Sequence, residues 1–137
     1  MTRTFSFLAA AGTALLLAAP ASPQAGTVLT IRHQLRGCHT WSVNGGAYTA
    51  SQSISLAKGS TLTVVDNDVM PHKLVQLSGP VLRLAKSANM NHPGAQTSVS
   101  FARAGVYKLT THPGEDYVKG IKTIGADNVL RLTVTVR

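Results

Sequence analysis

The chain has 137 residues, 44% hydrophobic and 13% charged, with a formal net charge of +8 and one cysteine. That length supports a single modest core rather than two domains, and a lone thiol excludes an internal disulfide framework. The basic side chains are spread singly from Arg32 to Arg137 with no basic, aromatic-interleaved strip. The charge therefore argues against nucleic acid and fits a solvated surface or an acidic partner.

Met1 to Ala21 reads as a secretory signal: Arg3 near the front, an apolar run from Phe5 to Ala19, and Ala19-Pro20-Ala21 as a small-x-small cleavage site, with Ala25 as an alternative. The run is too short, and too quickly followed by Pro, Ser and Gly, to make a stable membrane span. Residues 1–25 are thus expected to be a leader, and 26–137 one exported domain, secreted or periplasmic.

Thr27 to His33 alternates as a strand, with Leu29, Ile31 and His33 on one face. After Gln34 to Gly37, a second strand from His39 to Val43 puts His39, Trp41 and Val43 on one face and Cys38 and Thr40 on the other, until Asn44-Gly45-Gly46 turns the chain. Ser53 to Leu56 is a third strand, and Ala57-Lys58-Gly59 turns into the central stretch, GSTLTVVDNDVMPHKLVQL. There Leu62 and Val64 share a face. Asp66, Asn67 and Asp68 stop the strand, because short polar side chains bond their own backbone. Pro71 holds the chain extended before His72, which opens the next strand on the same face as Leu74. An imidazole so fixed at the rim of a core is well placed to bind a metal.

Ser78-Gly79-Pro80 ends that strand. Val81 to Ala88 fits either a strand or a short helix, and Asn89 to Gln96 is a loop by composition. Thr97 to Phe101 and Val106 to Thr111 are strands separated by Ala104-Gly105. His112 to Ala126 is irregular and rich in Gly, and Val129 to Val136 closes the chain with Leu130, Leu132, Val134 and Val136 in an inward row. Seven or eight short strands with almost no helical periodicity predict an all-β sandwich.

The stretch carrying Gly59, Asn67, Asp68, Pro71 and His72 resembles the first histidine motif of the cupredoxins, the small copper proteins such as plastocyanin and azurin. The likeness extends from about Thr27 to the C-terminus. It implies a cupredoxin-like Greek-key β-sandwich and copper as the cofactor, with zinc the next best match to the same donors. In an antiparallel sandwich successive connections alternate between the two ends. By that parity Cys38 and His39, the Asp66–His72 turn and His112 meet at one end, provided Asn44 to Ser51 continues the second strand's direction. The resemblance implies the same, since Gly105-Val106-Tyr107-Lys108-Leu109 matches the strand that leads into the family's last ligand loop.

The chain departs from the family at one point. Blue copper sites take a cysteine thiolate at the end of that strand and usually a later methionine, whereas Thr111 stands here and no methionine follows. Either Cys38 supplies a thiolate from another loop or the site is built mainly of imidazoles and is not blue.

The candidate ligands are therefore His72, His39, Cys38, His112 and Met70. Each has a plainer alternative: a surface turn histidine for His72, a core histidine for His39, a structural thiol for Cys38, a solvated loop residue for His112, a gap-filler for Met70. Met90 and His92 have no assigned role, His33 reads as a strand or rim residue, and Glu115 and Asp116 are candidates to orient an imidazole. No nucleophile triad, nucleotide loop or paired-carboxylate motif is specific enough to propose other chemistry.

The expected function is an exported copper protein, either an electron carrier with an atypical site or a copper carrier or store, with a redox or copper-trafficking protein as partner. The rivals are a metal-free interaction module of the cell envelope and a small copper oxidoreductase.

Overall fold

The computed structural model describes residues 26–85, 88–114, 124–125 and 127–137. The proposed leader lies outside them. Nine strands make up the described fold: β1 (Thr27–Gln34), β2 (Cys38–Val43), β3 (Ser51–Leu56), β4 (Thr61–Asn67), β5 (His72–Ser78), β6 (Asn89–Met90), β7 (Ala95–Ser100), β8 (Gly105–Pro113) and β9 (Arg131–Val136). They form a four-stranded sheet in the order β2-β1-β4-β7 and a five-stranded sheet in the order β3-β9-β8-β5-β6. The alternating rows read from sequence explain why the sheets stack: each strand has one apolar face, and two such faces bury each other.

Leu29, Ile31, Trp41, Leu62, Val64, Val99 and Phe101 face inward from or beside the first sheet. Leu74, Tyr107, Leu109, Leu132, Val134 and Val136 face them from the second, all in one core cluster. Phe101 and Tyr107 meet edge to face at 5.0 Å, a geometry worth about 0.5–1.5 kcal/mol beyond the area buried.

Strand limits differ from expectation in informative places. The segment 81–85, ambiguous in sequence, belongs to no strand or helix. Asn89–Met90, read as loop, adds a two-residue edge to β5. β8 runs on through His112 and Pro113, because the start of β5 continues to pair with it. Among the described residues no helix is long and apolar enough to cross a membrane.

Two parallel pairings decide which loops are neighbours. β1 runs parallel to β4, Thr27 opposite Leu62 and Arg32 opposite Asn67, so both strands finish at the same end. β5 starts there too, with His72 opposite Pro113 at the close of β8. The β1–β2 turn, the β4–β5 turn and the end of β8 are thereby gathered at one pole, as the parity argument expects.

Candidate metal centre

Glycines let the three connections approach one another. Gly37 has φ +76°, and a β-carbon there would collide with the side chain of Asn128. That Asn128 side chain donates to the carbonyl of His39 at 3.1 Å and ties the β1–β2 turn to the segment before β9. Gly114 leaves room for the Pro71 ring, and its N–H donates to the Pro71 carbonyl at 2.8 Å. The next residue, His72, is thus held against the end of β8.

Cys38 also has a left-handed backbone, φ 62°. Strict alternation would send Cys38 and His39 to opposite faces. Both faces of β2 are covered from Cys38 to Ser42, however, so Cys38 and His39 are buried alike, each 2% exposed.

His72 is fully buried and held at both ring nitrogens: Nδ1 lies 2.9 Å from Thr111 Oγ1, and Nε2 lies 3.1 Å from Asp68 Oδ2. Thr111, two residues before the end of β8, makes this hydroxyl contact to the imidazole. The ring of His39 packs edge-on to that of His72, centroids 4.9 Å apart, and its Nδ1 has no hydrogen-bond partner. His39, Asp68 and His72, all buried, present one ligand atom each within 4.8 Å of one another. Burial holds the pKa of His39 below its ordinary value, and the His72 charge acts in the same direction, with Asp68 opposing. His39 is therefore neutral near pH 7, the form that has a lone pair to give.

Two further groups extend the polar cluster. Asp66 is fully buried; its Oδ1 accepts from the Asp68 N–H at 2.9 Å, while Oδ2 has no partner. Desolvation raises its pKa to about 6. His33 Nδ1 lies 3.5 Å from the other oxygen of Asp68, which is long for a hydrogen bond. The Asp68 carboxylate thus sits between His72 and His33.

Of the five expected ligands, His39 and His72 come together. Cys38 and Met70 form a buried sulfur pair beside them in sequence, Sγ to Sδ 4.0 Å. His112 reaches the same pole but is exposed and stands outside the three-donor group. Met90 is a core residue and His92 an exposed loop residue. Glu115 and Asp116 lie outside the described residues. Asp68, Asp66 and His33 were not picked out from sequence as donors, since the acidic pair read as turn formers. The signal was nonetheless present: Leu62, Val64 and Asp66 share one alternating face, as do Leu29, Ile31 and His33.

This donor set fits a transition-metal ion on the chemistry of its atoms. Two imidazoles and a carboxylate suit Cu(II) or Zn(II), and a neighbouring thiol–thioether pair suits Cu(I). The unpartnered Nδ1 of His39 leaves a buried lone pair or N–H that an ion or water would satisfy.

Two stacked sheets in this order, with three loops gathered at one pole, give the protein a cupredoxin-like fold. No family model matches the chain, and no curated protein does. Among solved structures it is similar to the multicopper oxidase McoA of the hyperthermophile Aquifex aeolicus, with a TM-score of 0.51 and 15% identity over 82% of this chain and 26% of that one. The chain therefore spans about a quarter of the oxidase it matches. It also aligns with the Cu-containing nitrite reductase of Thermus scotoductus (TM-score 0.43, 20% identity, 80% of this chain and 27% of that one). Amicyanin from Paracoccus versutus aligns over 85% of both chains, with a TM-score of 0.39 and 16% identity.

Proposed function

We propose that this is an exported copper-binding protein that carries or stores the metal, with His39, His72 and Asp68 as its principal ligands and Cys38 and Met70 as a soft pair at hand. The observation that supports this most is the buried three-donor group within 4.8 Å, one of whose imidazoles has an unpartnered ring nitrogen. Bound copper would supply a charge that can change between Cu(I) and Cu(II). The chain's own contribution is to hold donors of both hard and soft character in a dry place.

A carrier or store is favoured over an electron carrier by the state of His72. Both its nitrogens are occupied, by Thr111 and Asp68, so donating to a metal requires one of those bonds to give way. Such a site rearranges on loading, which suits exchange of the ion better than rapid electron transfer at fixed geometry. Thr111 also stands where the cupredoxin resemblance leads to a thiolate, so no blue colour is expected unless Cys38 binds.

The satisfied hydrogen bonds of His72 also support a second reading, a metal-free interaction module. Titration of the mature protein with Cu(II) in air and Cu(I) without oxygen separates the two. One equivalent with a weak d–d band supports imidazole and carboxylate ligation, and an intense visible band assigns Cys38 as a ligand. Absence of stoichiometric binding leaves the metal-free module.

A further inference from the structure

The buried centre does not meet solvent directly, yet one of its members reaches an open cavity. A cavity of about 400 Å³ is lined by His39, Thr110, Thr111, His112, Asp127 and Asn128, with apolar Leu77, Pro113 and Val129 completing its wall. His39 is 2% exposed, whereas His112 and Asp127 are exposed on the same cavity. An imidazole and a carboxylate thus stand at the outside of a space that has a metal-binding imidazole at its inside.

Charge distribution gives the cavity a direction. The chain carries a net charge of +8 but only five acidic residues: Asp66, Asp68, Glu115, Asp116 and Asp127. Asp66 and Asp68 lie in the centre and Asp127 lines the cavity. The basic residues are scattered, whereas Asp66, Asp68 and Asp127 put three of the five acidic side chains at the centre and its cavity, where a cation would arrive. Local charge of that kind raises encounter rates.

We infer that this cavity is the port by which the metal ion reaches and leaves the centre, with His112 as a transit ligand that captures the ion and passes it to His39, and Asp127 as the attracting charge. The inference rests on the proposed centre and adds a role for His112 that differs from resident ligation. A transit ligand lowers the barrier in both directions. Its loss therefore slows capture and release together and leaves affinity unchanged, whereas loss of a resident ligand weakens affinity.

The test uses stopped-flow capture of Cu(II) by the mature protein, followed by quenching of Trp41, the chain's one tryptophan, and release into excess EDTA. His112→Ala is expected to slow capture and release by the same factor, roughly tenfold, at constant equilibrium affinity. Asp127→Asn is expected to slow capture and flatten its dependence on salt. The inference is overturned if His112→Ala weakens affinity while capture is unchanged, or if neither substitution alters the rates of a wild type that does bind. A wild type that takes up no Cu(II) instead removes the centre itself, and the port with it.

Discussion

The layer between the two sheets has an apolar end and a polar end, built from the same strands. In β1 the inward row runs Leu29, Ile31, His33; in β4 it runs Leu62, Val64, Asp66; in β8, Tyr107, Leu109, Thr111. β5 begins with His72 before Leu74, and in β2 His39 precedes Trp41. Five strands change from hydrocarbon to hydrogen-bonding side chains at one level. Four of the six buried side-chain atoms without a hydrogen bond among the described residues belong to His33, His39 and Asp66. An atom of this kind left without water or an ion costs about 1–3 kcal/mol, so the polar end depends on a partner where the apolar end does not. A fold gains nothing from such a cost by itself, and a ligand at the polar end would offset it.

Substitutions that separate the two ends should show the largest effects first. Phe101→Ala, in the apolar end, is expected to lower unfolding free energy by about 3–5 kcal/mol in urea titrations. The fraction that remains folded should keep its copper affinity. His39→Ala shifts the balance: copper affinity should fall by at least about 100-fold in competition titrations, while apo stability falls by less than in Phe101→Ala, because the smaller ring leaves a smaller cavity and takes an unpartnered nitrogen with it.

Asp66 sharpens the contrast through pH. Its folded pKa, raised to about 6 by burial, lies above its unfolded value, so its stabilising protonation is complete below pH 4 and is lost as pH rises through about 6. Asp66→Asn should therefore exceed wild type in stability at pH 7, by something on the order of 2 kcal/mol, and lose that advantage towards pH 4. His39, whose pKa is depressed, contributes stability that falls away as pH drops, but it does so in both proteins and cancels from their difference. The smallest effect is expected on the outer face: Thr63→Ala breaks only an exposed 3.4 Å contact to Ser98 and should change stability by less than about 0.5 kcal/mol in the same titrations.

The apolar end was legible in the sequence because alternation is a local property. Leu130 to Val136, Leu29 with Ile31, and Leu62 with Val64 each declare a buried face without reference to any other strand. His72 was legible too, since Pro71 and the acidic turn before it set where the strand begins. The rest depended on relations between strands. Asp68 looks like a turn residue until β8 brings Thr111 to the far side of His72, and His33 looks peripheral until the parallel register of β1 and β4 sets it beside Asp68. His112 was placed at the correct pole by parity, but its facing was not available, because the irregular stretch expected from residue 112 in fact continues β8.

The position of β9 has one more consequence. It lies between β3 and β8, and β3 has no other strand partner among the described residues. Until residues 131–136 are in hand, the second sheet is two fragments, and chains stopped short of that point should leave β3 without edge bonding. Assembly must then wait for distant segments to find each other, a slow route for a chain of this size. Until β9 is made, the edge of β8 that it covers stays open to pairing with another chain.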